Sequence, residues 1–311
     1  MMAITGTGTE LDPFIVHSYD ELKYACEQHG STSVRYYTKL ANDIDCNDYG
    51  SDFEWQTITL GSNASGANKN NSIDFDGHTI KNVFIKQGNK LFDSTGNNLA
   101  EIKNGKILNV FGSSISGFIP KTVISNMSIS VQIGTTSSNY LFDSCPMSYC
   151  ALYVIFTNAD GKAIMYVAGA NTVNNIDMYF EMYNCTMGTK ITNASSTSNG
   201  QIDSVRFVGK MKLKNPEDPP TPQNGVWISG KATNSVFDID FTDYDYSQSS
   251  AQSRALFGGA GDNTTVINWE KVPHAASADY TASGYLKATT AQMTVGSELR
   301  GLGFLVVNVE E

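Results

Sequence analysis

Positive charge is scarce in this chain. It holds 21 Lys and Arg against 31 Asp and Glu, a formal charge of −10. No Lys/Arg run stands out, which excludes the basic footprint of a nucleic-acid binder. Charge of either sign is thin, at 17%, below the usual share of about a quarter. No apolar stretch reaches the roughly 18 residues of a membrane span, so no membrane insertion is expected. The opening MMAITGTGTELDPF has neither a basic n-region nor an apolar h-region, so use without a Sec signal is expected.

Cysteine is also limited. Cys26, Cys46, Cys145, Cys150 and Cys185 are odd in number and form no CxxC, which argues against a zinc site. They are expected to be buried thiols in a reducing compartment, with a single Cys26–Cys46 disulfide as the alternative. The other scarce chemistry is histidine. His17, His29, His78 and His274 are scattered, and no metal trio is visible. P-loop, GxSxG, HExxH and dinucleotide fingerprints are all missing. No cofactor is therefore expected.

What is abundant is Ser, Thr, Asn, Gly, Tyr and Phe. Many β-formers between many turn-formers argue for a β-rich chain of short strands. Residues 14–29 hold the one good helix, with Ser18 and Glu21 as a capping box and Leu22, Ala25 and Cys26 as its apolar stripe. Gly30 ends it. Short strands, PFIV and VRYYTKL, flank it.

From about residue 57 a repeat sets in. A small polar residue precedes alternating apolar ones at Asn82, Asn104 and Asn126, and more faintly at Ala151, Asn175, Ser204, Ser235 and Thr265. The intervals are 22, 22, 25, 24, 29, 31 and 30 residues. Apolar pairs fall between them: Leu91-Phe92, Phe118-Ile119, Leu141-Phe142, Met165-Tyr166, Trp227-Ile228 and Leu256-Phe257, with a degenerate copy near Met187. One such unit cannot bury a face alone, whereas a stack can. Asn at each bend suits backbone capping. The expected fold is all-β, a single-stranded right-handed parallel β-helix of eight or nine coils. A leucine-rich repeat is excluded by its missing Leu spacing, and a β-sandwich is the main rival.

Residues 1–56 are read as a small α/β N-terminal cap, 57–272 as the β-helix, and 273–311 as a closing segment of linker, short helix near residues 290–299 and final strand. Four prolines within residues 216–222 mark an exposed loop leaving the solenoid, because proline removes a ladder donor.

Leu40, Asp43-Ile44-Asp45, Trp55, Ile58, Gly61, Phe75-Asp76-Gly77, Ile80, Asn82 and Ile85 together resemble GLUG-type, adhesin-like repeat proteins of the pectin-lyase-like right-handed β-helix class. The resemblance covers residues 5–130 well and 130–270 only through the fading repeat. It implies a chain of cell surfaces or bacteriophage virions. Without a signal, sortase motif or anchoring helix, the expectation is a non-enzymatic virion protein: a tail fibre, spike or capsid head-fibre/decoration protein. It would be a homotrimer, assembled in the host cytoplasm and exposed outside the cell. It would touch other virion proteins and present a surface for host glycans. A polysaccharide depolymerase and a bacterial surface adhesin are the alternatives. Fold alone does not choose among them.

Three stretches raise site questions. In SIDFDGHTIKNVFIK, Asp74, Asp76 and His78 suggest a carboxylate–imidazole site, but Asp-Gly is turn chemistry. In DIDCNDYGSDFE, Asp43, Asp45, Asn47 and Glu54 occupy calcium-loop positions 1, 3, 5 and 12; Asp48, however, stands where that loop needs glycine. In FDIDFTDYDYSQ, Asp238 and Asp240 share a strand face, with Asp243, Tyr244, Asp245 and Tyr246 at the following corner. Rings stacking on sugars and carboxylates accepting from hydroxyls would make this a glycan platform. The same acids suggest a paired-carboxylate glycosidase. A lyase would need a nearby basic residue, and Arg35, Arg206, Arg254 and Arg300 all lie away from this stretch in sequence.

Overall fold

A computed structural model describes residues 4–27, 35–61, 70–94, 99–167, 171–185, 189–194, 201–213, 228, 231–240, 261–262, 264–267 and 285–288. The fold is all-β, mostly parallel strands stacked as a β-solenoid of about seven turns. This is the expected parallel β-helix with fewer coils than the repeat suggested. The chain divides into two compact units, Met1–Cys150 and Ala151–Glu311.

The first unit begins with the expected helix and its flanking strands. Phe14–Val16 pairs in parallel with Arg35–Leu40, and the helix Tyr19–Glu27 lies between them in the chain. Tyr19, Leu22, Ala25 and Cys26 are its buried stripe. The Glu21 amide donates to Ser18 Oγ at 3.2 Å, and the His17 amide donates to Glu21 Oε2 at 2.7 Å. The first bond satisfies an amide that the opening helical turn leaves unpaired, and the second ties Glu21 back to the residue before the N-cap Ser18. Asn70–Asp74 pairs in turn with Arg35–Leu40. Ala100–Ile115 then pairs with both Asn70–Asp74 and Thr79–Phe84, and Thr122–Thr136 pairs with Ala100–Ile115. A second set of strands comes from the apolar pairs, with Ile58 opposite Phe92 and Ile119 opposite Phe142.

The second unit repeats the scheme. Thr172–Cys185 pairs with Gln201–Leu213, which pairs with Val236–Asp240. Met165 lies opposite Thr192 in the strand Lys190–Ala194, and this strand is the degenerate copy sensed near Met187. Thr264–Ile267 pairs with Tyr285–Ala288, so parallel pairing continues into the stretch read as linker. The proline loop, the expected helix at residues 290–299 and the pair Leu256-Phe257 lie outside the described residues.

Phenylalanine fills the interior. In the first unit Phe75, Phe92, Phe118 and Phe142 are fully buried, as are Phe156, Phe180, Phe207 and Phe237 in the second. Phe118 and Phe142 meet edge-to-face at 5.4 Å, and Phe207 and Phe237 at 5.6 Å. Such pairs add about 0.5–1.5 kcal/mol beyond area burial. All five cysteines are free and buried, so the alternative of a Cys26–Cys46 disulfide is not realised. Burial pushes Cys46 and Cys145 up to about 12 and Cys150 up to about 11, which makes them packing groups with little thiolate character.

The asparagine repeat proves to be two ladders. Asn104 and Asn126 belong to one: Asn126 Nδ2 donates to Asn104 Oδ1 at 3.1 Å, and Asn104 Nδ2 donates to Asp74 Oδ1 at 3.1 Å. Asn82 belongs to a different bend. It stacks on Asn109, whose Nδ2 donates to Asn82 Oδ1 at 3.2 Å, and itself donates to Asp45 Oδ1 at 2.9 Å. The Asn–Asn steps of the two ladders span 22 and 27 residues, so equating Asn82 with Asn104 confused two different bends. All four asparagines have φ between 52° and 61°, a left-handed conformation that Asn tolerates and other L-residues resist. Asn126→Ala is expected to lose about 2 kcal/mol, combining left-handed strain and the lost ladder bond, and Asn126→Gly about 1 kcal/mol. Urea denaturation of the three proteins checks this order.

Candidate functional site

Asp74, Asp76 and His78 are turn furniture in this fold. Asp76 has φ 50° and Gly77 φ 86°, which turns the chain between Asn70–Asp74 and Thr79–Phe84. Asp74 Oδ1 accepts from the Asp76 amide at 2.9 Å, and Lys39 Nζ reaches Asp76 at 2.8 Å. His78 Nδ1 lies 3.3 Å from Asp43 Oδ1. Each group thus serves its own turn or joins one coil to the next, and the three do not converge.

The calcium-loop residues are similarly dispersed. Asp45 caps the short 3₁₀ turn Cys46–Tyr49, accepting from the Asn47 amide at 3.0 Å as well as from Asn82. These bonds hold its carboxyl below its ordinary range. Asp43 accepts from the Thr79 amide at 2.9 Å, and Glu54 pairs with Lys86 at 3.3 Å. Asn47 is exposed. Among the described residues no group of three or more His, Cys, Asp and Glu could hold a metal ion.

Convergence occurs on the outward sheet face of the second unit. Along Thr172–Cys185 the sequence DMYFEMY alternates strictly. Met178, Phe180 and Met182 go inward and are fully buried, leaving Asp177, Tyr179, Glu181 and Tyr183 outward, as the pleat requires. Gln201–Leu213 does the same with Phe207 and Met211 inward, and Arg206, Lys210 and Lys212 outward. Parallel register sets Asp177 against Arg206 and Glu181 against Lys210, and then Val208 against Asp238 and Lys210 against Asp240.

Glu181 organises this face. It accepts from Tyr179 Oη at 2.8 Å, from Tyr183 Oη, and from Lys210 Nζ at 2.9 Å. Burial pushes its carboxyl upward, but the bonds from Tyr183, Lys210 and Tyr179 outweigh it and hold the group below its ordinary 4.5. The same hydrogen bonds raise Tyr179 and Tyr183 above their ordinary 10.0. Tyr153 stacks on Tyr179 at 5.4 Å with the rings 12° from parallel. Lys210 and Lys212 each place Nζ 6.0 Å from the Tyr183 ring centroid. The rings are therefore locked before any ligand arrives, and pre-organisation of this kind lowers the entropy lost on binding.

These shifts set a pH window. A depressed carboxyl contributes stability above its unfolded pKa and loses it as pH falls through the folded value. Raised phenols contribute below their unfolded pKa and lose it as pH rises through the folded value. The tyrosine near-ultraviolet circular dichroism should stay constant between the two ranges. It should change on acidification below 4.5 and again on alkalinisation above 10.0. Glu181→Gln should remove the acid step and move the alkaline step down toward 10.0, because the same carboxylate holds both phenols up.

Asp177 and Arg206 form a two-pronged pair at 2.9 and 2.8 Å. Burial raises the Asp177 carboxyl even so, with Arg206 opposing, so the pair fixes position more than it adds stability. Burial also raises Asp238, reinforced by Asp240 and opposed by Arg206. Arg206, distant in sequence from the acidic stretch, is thus its electrostatic neighbour. Asp243, Tyr244, Asp245 and Tyr246 lie outside the described residues. The tyrosines and lysines of this face were absent from the sequence-based candidates. Strict alternation in DMYFEMY and RFVGKMK was their one signal.

No protein-family model matches the chain, and no curated protein matches it. Among solved structures the chain is similar to a Bacteroides ovatus protein described as a "putative immunoglobulin A1 protease". The TM-score is 0.54 at 14% identity, over 95% of this chain and 89% of that one. Likeness at this identity concerns the β-helix fold alone.

Proposed function

We propose that the chain is a non-enzymatic bacteriophage virion protein, a tail fibre, spike or capsid-decoration component, whose outward face in the second unit holds host glycans. The observation that carries the glycan part is the set of three half-buried tyrosines, Tyr153, Tyr179 and Tyr183, on one outward sheet face, two of them fixed by the single carboxylate Glu181. Rigid amphipathic rings with polar tips present apolar faces to sugar C–H groups and hydroxyls to their edges. The virion part rests on the repeat resemblance of residues 5–130, and the trimer on the same footing. Calorimetric titration with host surface polysaccharide should show saturable binding that Tyr179→Ala and Tyr183→Ala abolish, with no oligosaccharide released. Light scattering should give three times the chain mass. Absence of binding to every host polysaccharide, or a monomer in dilute solution, would overturn the corresponding part.

A depolymerase is the second reading, and Asp238 favours it. A carboxyl raised by burial beside a second carboxylate is the arrangement of a general acid and its partner. Asp238 and Asp240 are two residues apart on one strand face, about 7 Å along the strand, a spacing suited to an inverting pair. Released reducing ends that disappear in Asp238→Asn would establish this reading in place of the first.

A further inference from the structure

We propose that the sugar received at Tyr183 is acidic, its negative group held by Lys210 and Lys212. This rests on the glycan-binding reading above and narrows it to one chemical class. The argument starts from how this chain treats its lysines. On the outward faces of the first unit most described lysines meet carboxylates across coils or along a strand, Lys106 and Lys121 apart: Lys39 with Asp76 at 2.8 Å, Lys81 with Asp45 at 3.4 Å, Lys86 with Glu54 at 3.3 Å and Lys103 with Glu101 at 3.2 Å. A chain of formal charge −10 has acids enough to do so.

At Tyr183 the pattern changes. Alternation along Gln201–Leu213 brings Lys210 and Lys212 to one face, and both ammonium groups converge on one ring at 6.0 Å. Glu181 answers Lys210 at 2.9 Å, and Lys212 is exposed over the ring. Lys210 lies in register between Glu181 and Asp240, which leaves the Lys212 ammonium as the cation over this ring that no carboxylate answers among the described residues. A cation over a ring is attracted by its quadrupole, but two like charges at one ring repel, and an anion between them relieves that repulsion. A pyranose with its C–H face on Tyr183 and an anionic substituent at its edge supplies both contacts. An ammonium group is a point charge that takes carboxylate or sulfate alike, so the shared requirement is a negative charge on the ring's rim.

The test uses the full chain and three probes of matched length: oligogalacturonate, sulfated galacto-oligosaccharide and neutral galacto-oligosaccharide. Calorimetry should show one or both acidic probes binding at least tenfold more tightly than the neutral one, with the gap shrinking at high salt. Lys212→Gln should reduce acidic binding about tenfold and leave neutral binding unchanged. Lys106→Gln, an exposed lysine of the first unit, should change nothing. Circular dichroism of each variant confirms the fold. Equal affinity for all three probes would overturn the acidic preference while leaving glycan binding standing. An acidic preference intact in Lys212→Gln would overturn the role of the lysines. Binding of none would remove both this inference and the reading beneath it.

Discussion

Ile80→Asp should prevent the first unit from folding, whereas His78→Ala, two residues away, should leave it unchanged. Ile80 has no exposed surface. It sits between Ile44 and Ile107 in neighbouring coils, all three inward-facing. An aspartate there would hold a charge among isoleucines with no partner, which is expected to cost more than about 4 kcal/mol. That is a large part of the roughly 5–15 kcal/mol by which a domain is stable. His78 faces outward and touches Asp43 at 3.3 Å, a surface pair worth well under about 1 kcal/mol. The measurement is soluble yield and urea midpoint for both variants. A soluble, cooperatively unfolding Ile80→Asp protein with native circular dichroism would contradict the stack. Loss of glycan binding in a correctly folded His78→Ala protein would return Asp74, Asp76 and His78 to consideration as a site.

Gly105→Ala should lose about 3 kcal/mol, at the upper end of overpacking penalties. The bend at Asn104 brings Gly105 so close to the preceding coil that a Cβ would stand 2.2 Å from Phe75 Cβ and 2.5 Å from the His78 carbonyl oxygen. Neither neighbour can yield, because the Lys106 amide donates to that same His78 carbonyl at 3.1 Å and Phe75 is fully buried. Gly77 makes the contrast. It has φ 86°, and a Cβ added there would meet nothing within 4 Å, so Gly77→Ala should cost only the left-handed strain, about 1–2 kcal/mol. In a unit of 150 residues, 3 kcal/mol corresponds to a Tm drop of roughly 6–12 °C. Differential scanning calorimetry of both variants separates steric contact from backbone strain. Equal shifts would show that the coils can part at Gly105.

The proposed glycan face depends on register within the second unit, since Glu181 meets Lys210, and Asp177 meets Arg206, only through the pairing of two turns there. The first-unit variants therefore test the scaffold and the Tyr183 and Lys212 variants test the face, and neither set substitutes for the other.

Much of the architecture follows from short-range rules. The pleat's period of two assigns Met178, Phe180 and Met182 to the interior wherever the strand lies. The helix Tyr19–Glu27 is marked by Ser18 and Glu21 and by its apolar stripe, all within nine residues of chain. Asp76-Gly77 is a turn by local backbone preference, which argues against an active site there even without knowing where the neighbouring groups go. The recurring apolar pairs mark the two smaller sheets, including the degenerate copy at Ile191-Thr192.

What the amino-acid sequence determined by itself is therefore the fold class, which face of each strand is buried, and where the chain bends. Tertiary structure alone decided which bend stacks on which, so that Asn82 joined Asn109 instead of Asn104. It alone decided that Arg206 lies beside Asp177 and Asp238, and that two lysines share the ring of Tyr183. The physical reason is that inward and outward alternation is set within one strand, whereas register between coils depends on loop lengths that vary from turn to turn. A side chain's neighbours across the solenoid are chosen by that register, and the outward face proposed for binding is made entirely of such neighbours.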